Sequence, residues 1–279
     1  MEVIVENACI TLNKKEIIRN FNCKISNHIY GLMGANGSGK TTLIRMILGI
    51  YKVTSGSIQY LVDDECISDN MKFNIGYLPQ SFDAFKDLTL YEQMKYFAIL
   101  KEIPKQDRNK EIDKVLKLTH LSNDRDKKCK ELSGGMIRRL GIAQALMGEP
   151  DILVFDEPTA GLDPQERLKF REIINQLDFD IPIIISTHIV DDIYKQCSYI
   201  LFLKDRKLIY SGLVNDLLQL LDNKVYSCHS SNIDNIKEEI YVVFNQNNIF
   251  RIVSKTVLKY DFLTKEEPTL DDAYVYLNS

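Results

Sequence analysis

Tryptophan is absent from this chain of 279 residues. No apolar run approaches the roughly 20 residues that a membrane-spanning helix needs, so no bilayer-crossing helix is expected. The six cysteines (Cys9, Cys23, Cys66, Cys129, Cys197 and Cys228) form no Cys-x-x-Cys pair, and the four histidines are scattered. A zinc site and a disulfide framework are therefore not expected, and reduced thiols inside a cell are the simplest reading. Residues 1–6 carry two acids and lack the basic and apolar segments of a secretory signal. A large excess of one charge is also missing. Lys and Arg number 35 against 39 Asp and Glu, a net charge of −4, which removes bulk electrostatic attraction to nucleic acid as an expected function. Internal repeats and low-complexity segments are lacking as well.

What the chain does have begins at Gly34-Ala35-Asn36-Gly37-Ser38-Gly39-Lys40-Thr41. This fits the phosphate-loop pattern G-x-x-x-x-G-K-[ST], with an apolar strand in front and helical spacing from Thr42 onward. Glycines let the backbone curl around phosphate oxygens, and successive N–H groups form an anion nest at a helix N-terminus. Lys40 would meet the β- and γ-phosphates, and the Thr41 hydroxyl would face Mg²⁺. The ligand class is thus a nucleoside triphosphate.

The remaining pattern alternates strands and helices. Residues 1 to about 30 read as an antiparallel β layer, and residues 54–57 as a turn before a strand. Residues 75–80 form a short strand ending at Pro79, and residues 88–148 are largely helical. Ile152-Leu153-Val154-Phe155 is a continuous apolar run, as in a buried parallel strand. Asp163-Pro164-Gln165-Glu166 reads as a helix start closed by a capping box, and Thr269-Leu270-Asp271-Asp272 as another. The fold class is α/β, with a mostly parallel sheet and helices around it. After about residue 212 the pattern becomes a small α+β appendage.

Further residues carry chemistry. Ser133-Gly134-Gly135 at a helix N-terminus makes a second anion site. Asp156 closes the buried strand where it can hold Mg²⁺ through water, and Glu157 where it can orient or deprotonate an attacking water. Gln80 and His188 each end a strand. Arg138 and Arg139 read as a short basic run on a solvated face.

In this order the motifs resemble the nucleotide-binding domain of the ABC transporter superfamily: phosphate loop, Gln80, Leu132-Ser133-Gly134-Gly135-Met136, Phe155-Asp156-Glu157, Gly161-Leu162-Asp163 and His188. The resemblance covers residues 1 to about 215, with the helical subdomain at about 86–148. It leaves 216–279 as an accessory region. It implies ATP and Mg²⁺ as ligands, with Thr41, Gln80 and Asp156 toward the metal. Residues 34–42 would hold one side of the nucleotide, with Thr42 closing that run. It further implies a head-to-tail dimer, with itself or a homologous ATPase subunit, in which Ser133, Gly134 and Gly135 meet ATP held by the partner. Asp163 would join the two sites, and His188 would be the switch histidine beside Glu157. A separate integral-membrane permease is the implied partner, placing the chain at the cytoplasmic face of the membrane, with no nucleic acid bound. Phe82, Phe85 and Leu88 are candidates for the groove that receives it.

The sequence departs from the family in two places. Met136 stands where glutamine is commoner. Leu12 stands where an aromatic usually stacks on adenine, so weakened selection of ATP over GTP is expected. Met136 within residues 132–164, and Glu267-Pro268-Thr269-Leu270, look like the export branch linked to drug and antibiotic resistance. An importer subunit, or a soluble ABC ATPase acting on ribosomes or DNA, is the alternative.

Overall fold

The computed structural model describes residues 1–62, 65–66, 73–177 and 180–279. In chain order the strands are β1 (Glu2–Leu12), β2 (Lys15–Ile25), β3 (Ile29–Gly34), β4 (Ser55–Val62), β5 (Glu65–Cys66), β6 (Ile75–Leu78), β7 (Ile152–Asp156), β8 (Ile183–Ser186), β9 (Tyr199–Lys204), β10 (Lys207–Leu213), β11 (Val225–His229), β12 (Ile240–Gln246), β13 (Ile249–Ser254) and β14 (Thr264–Lys265). The α-helices are α1 (Lys40–Ile47), α2 (Leu90–Leu100), α3 (Arg108–Leu118), α4 (Gly134–Leu146), α5 (Pro164–Asn175), α6 (Val190–Gln196), α7 (Val214–Gln219) and α8 (Leu270–Asn278).

A six-stranded sheet in the order β10-β9-β3-β8-β7-β6 forms the centre. Its strands run parallel except for β10, which pairs antiparallel with β9. Both faces of such a sheet are covered, so its strands read as unbroken apolar runs, and β7 is buried at every position. Alternate side chains enter opposite cores. Leu153 and Phe155 join Leu140, Phe170 and Ile193 on the helical side. Ile152 and Val154 join Phe21, Leu43 and Ile47 on the other. That second core is roofed by the antiparallel sheet β2-β1-β4-β5. Its β1–β2 hairpin closes at Asn13 and Lys14, with φ of 49° and 63°. Positive φ at both loop residues matches the strand twist.

Two local readings differ from the structure. The expected turn at residues 54–57 is instead the start of β4. Gly56 takes a φ of 80° there, and a β-carbon on it would lie 2.3 Å from the Asn7 carbonyl oxygen. The shift in β1–β4 pairing between Glu6 and Cys9 places this irregularity inside a ladder. At α5 only half of the capping box forms. Asp163 accepts from the Glu166 N–H at 2.9 Å, but the Glu166 carboxylate is taken by Arg139 at 3.0 Å and Lys169 at 2.7 Å. Two cations outcompete one backbone N–H.

The third sheet, β12-β13-β11-β14, surrounds a small core of Tyr226, Cys228, Ile252 and Leu258. Its other face is not separate, since Val225, Val253, Leu270 and Ala273 belong to the cluster that contains Phe202 and Ile193. The capping box of α8 is complete, with Thr269 and Asp272 bonded reciprocally. Among the described residues no helix is long and apolar enough to cross a membrane.

Candidate functional site

The site is assembled where β3, β6, β7 and β8 end. Between β3 and α1 the chain makes the phosphate loop. Gly39 stands at the N-cap of α1 with φ 109° and offers no side chain, so the first-turn N–H groups of α1 have no cap. A β-carbon there would come within 2.9 Å of Ile18 Cδ1. The Ser38 hydroxyl is buried and has no hydrogen-bond partner among the described residues. Lys40 folds back over the loop, donating to the carbonyls of Gly34 at 2.7 Å and Ala35 at 3.3 Å. Burial pushes its pKa down, while Glu157 and Asp156 push the other way. A buried cation held only by carbonyls, beside an orphaned hydroxyl and open N–H groups, suits a polyphosphate.

At the far side of the loop, Thr41 Oγ1 donates to Asp156 Oδ2 at 3.1 Å, and Ser186 donates to Asp156 Oδ1. Asp156 is thereby fixed with one edge toward α1. Glu157 follows in a left-handed conformation, φ 51°, which a non-glycine residue adopts only when its surroundings hold it. Its N–H donates to the Ser186 carbonyl at 3.0 Å and is also 3.1 Å from the Ser186 hydroxyl. Its carboxylate Oε2 lies 2.8 Å from His188 Nδ1. Glu157 is 7% exposed, and the His188 side chain 56%. A buried carboxylate is thus paired to an exposed ring.

A cavity of about 310 Å³ joins these parts. It is lined by Asn36, Gly37, Gly39, Lys40, Thr41, Thr42, Gln80, Asp156 and Glu157, together with Ile17. The donors facing Mg²⁺ would be the oxygens of Thr41, Gln80 and Asp156, a hard set suited to an ion shared with substrate phosphates. Among the described residues no group of three or more His, Cys, Asp or Glu could hold a metal by itself.

Several expected residues stand elsewhere. Ser133 caps α4, accepting from the Met136 N–H at 3.2 Å, and neither it nor Gly134 or Gly135 lines the cavity. Asp163 is exposed at the cap of α5. Leu12 is half-buried at the end of β1 against the sheet core, while Ile17 is the apolar residue at the cavity wall. Sequence reading missed Ile17 and gave Ser186 no role. It also misread Arg138, whose guanidinium reaches backbone carbonyls at the ends of β6 and β7 rather than solvent. A hydrophobic residue or an arginine at such a place leaves no motif. Ser186, two residues before His188 at a strand end, did offer a signal.

The comparisons with known proteins fall on this frame. The family model described as ABC transporter matches residues 18–160. The chain belongs to the ABC transporter family. A probable multidrug ABC transporter ATP-binding protein of Escherichia coli, YbhF, is 31% identical over 84% of this chain, which spans 42% of that relative's length. An Fe(3+) ions import ATP-binding protein of Photobacterium profundum is 30% identical over 77% of the chain and 62% of the relative. Among solved structures, a dimeric ATP-binding cassette in a post-hydrolysis state, bound to ADP and Pi, is 25% identical. It has a TM-score of 0.65 and covers 76% of this chain and 98% of that one. The architecture described above is that of the ABC ATPase domain: a P-loop sheet core, an antiparallel β layer and a helical segment carrying the Ser133-Gly134-Gly135 turn.

Proposed function

We propose that this ABC protein binds and hydrolyses ATP to drive a transport cycle through a separate membrane permease. The observation that carries the reading is Glu157, buried at the cavity wall with Oε2 2.8 Å from His188. The phosphate loop and Lys40 would bind the β- and γ-phosphates. Glu157 would orient a water and draw its proton as the water attacks the γ-phosphate, while His188 holds the carboxylate and contacts the phosphate as it swings. Mg²⁺ bound with the nucleotide would neutralise the charge that develops on the phosphates. Thr41, Gln80 and Asp156 would hold that ion.

Ser133 and Gly134 are exposed, Gly135 is half-buried against Glu166, and all three stand outside the cavity, which supports a head-to-tail dimer in which the turn closes over ATP held by the partner. A β-carbon on Gly134 would meet nothing within 4 Å. The chain's own packing therefore does not require glycine there, and the open space suits a ligand's approach. Asp163, exposed at the N-cap of α5, would join the two halves. Residues 1–215 would form the cassette, with 86–148 as its helical subdomain, and 216–279 an accessory region.

The permease would sit against the segment after Gln80, on the cytoplasmic face. Phe85 is 53% exposed and meets Tyr96 edge-on at 5.7 Å. Phe82 is half-buried against the core, and Leu88 is tied down through its carbonyl to the Cys129 N–H. Export is the finer reading, supported by the multidrug-type relative and by Met136. The iron-import relative, at nearly the same identity, supports import as the second reading.

The test is purification of the tagged chain from gently solubilised native membranes, with ATPase assay of the product. A stoichiometric multi-span partner and ATP turnover are expected, and the partner's own sequence decides direction. Recovery with ribosomal or DNA-associated proteins instead would sink the transport reading.

A further inference from the structure

Arg138 and Arg139 are neighbours on α4, about 100° apart around the helix, so their side chains leave in different directions. Arg139 is buried against Glu166 and the carbonyls of Thr119 and His120. Arg138 turns toward the strand ends. Its Nε donates to the Pro158 carbonyl at 3.0 Å, and its Nη1 to those of Pro79 and Gln80, each at 3.0 Å. Its Nη2 donates to the Asp156 carbonyl at 2.8 Å and to that of Glu157. All five acceptors are main-chain carbonyls, and none is a carboxylate.

A half-buried guanidinium with no carboxylate partner among the described residues is an expensive way to fill space, because an apolar side chain of similar size would do so without desolvating a charge. The identity of the acceptors gives the reason. Pro79 and Gln80 directly follow β6, and Gln80 is a candidate metal ligand. Asp156, Glu157 and Pro158 are the second candidate ligand, the candidate base and the residue after it. The peptide before Glu157 is fixed through its N–H by Ser186, and the peptide after it through its C=O by Arg138. Between them these two bonds fix the backbone on both sides of Glu157, at φ 51°, and so the direction in which its side chain sets out toward His188. Arg138 is also anchored on α4, five residues beyond Ser133. A shift of α4 when the Ser133 turn engages a nucleotide would reach Gln80 and Glu157 through this one side chain.

We propose that Arg138 is a positioning residue that sets the aim of Glu157 and links the orientation of α4 to it. The proposal rests on the hydrolytic role assigned to Glu157. A lysine keeps the charge but not the planar fork, so it cannot hold both strand ends in one geometry. Small misplacements of a catalytic group cost on the order of a hundredfold in rate.

The experiment compares the full-length wild-type chain with Arg138→Lys and Arg138→Gln in four measurements: ATP Kd, kcat, melting temperature and the ring resonances of His188. The His188 signals are assigned by their loss in His188→Gln, one of only four histidines. The expected result for Arg138→Lys is a kcat lower by roughly ten- to a hundredfold. Its Kd and melting temperature should stay near wild type, and its His188 resonances should move because the Glu157 carboxylate beside them has moved. Arg138→Gln should behave the same way or worse. Unchanged kcat would overturn the proposal. So would equal losses in kcat and Kd with unmoved His188 resonances, or failure of both variants to fold, since each marks a structural arginine. If the wild-type chain turns over no ATP, the hydrolytic reading falls, and the His188 resonances alone decide whether Arg138 aims Glu157.

Discussion

Lys40 at the phosphate cavity, Arg138 behind the strands that lead to it and Arg251 in the C-terminal sheet are all drawn out of water, but with different hydrogen-bond partners. Arg251 meets both oxygens of Asp272, at 2.8 and 2.7 Å, and the Asp272 side chain is fully buried. Its hydrogen bonds to that carboxylate raise its pKa. Among the described residues Lys40 and Arg138 bond only carbonyls, and burial lowers the pKa of each. The C-terminal cation is satisfied within the fold, whereas Lys40 is left with charge to spare for an anion from outside. Lys40 and Arg251 thus differ in what already neutralises them, while Arg138 shares the carbonyl company of Lys40 but does not line the cavity.

The largest effect should come from the base that this charge serves. Glu157→Gln is expected to lower kcat by about 10²–10⁴-fold, the usual worth of a general base, while ATP still binds and accumulates in a closed dimer. Steady-state turnover together with size-exclusion in ATP checks this, and wild-type turnover would remove the hydrolytic assignment. On the other side of the comparison, Asp272→Ala leaves half-buried Arg251, among the described residues, with only the longer ion pair to Glu266, at 3.7 Å, and also deletes half of the α8 capping box. A loss of about 3–5 kcal/mol in unfolding free energy is expected, as for other broken buried pairs. The ATP affinity of the protein that remains folded should not change. Denaturant melts and ATP titration on the same samples separate the two. A loss of ATP affinity would mean that the C-terminal sheet reaches the cavity through α6 and α8. Lys40→Ala should do the reverse, with little change in melting and an ATP Kd weaker by roughly ten- to a hundredfold. That range corresponds to about 1.5–3 kcal/mol for a hydrogen bond to a charged group. Equal binding by the variant would place the phosphates elsewhere.

The same contrast explains what the sequence made legible. Lys40, Thr41, Asp156, Glu157 and His188 could be read because their chemistry needs fixed spacing around a strand end, and spacing survives in one dimension. Asp272 could be read as the partner of Thr269 in a capping box. Arg251 as its ion pair could not, because the two are brought together by sheet packing across 21 residues. Arg138 was hidden for a stronger reason. Its partners are carbonyls, which every residue has, so no residue type in the sequence marks them. The Glu166 misreading has a related cause: local capping rules are weighed before the long-range arrival of Arg139 is visible. Ile17 escaped because a single aliphatic residue in a strand gives no sign of which ones face a ligand.

The smallest expected effect concerns the base of the nucleotide. Leu12 in place of an aromatic removes stacking worth about 0.5–1.5 kcal/mol, and an apolar contact without hydrogen bonds discriminates weakly between similar ligands. The wild-type chain should therefore prefer ATP to GTP by less than about tenfold. Leu12→Tyr should tighten ATP binding by roughly two- to tenfold if the base lies over the end of β1. Ile17, however, is the apolar side chain at the cavity wall, while Leu12 packs against the sheet core. If the base instead lies along Ile17, Ile17→Ala should weaken ATP binding and Leu12→Tyr should leave it unchanged. Competition binding of ATP and GTP to the three proteins decides between these placements. A wild-type ATP preference of tenfold or more would show that adenine is recognised by a polar contact that neither residue supplies.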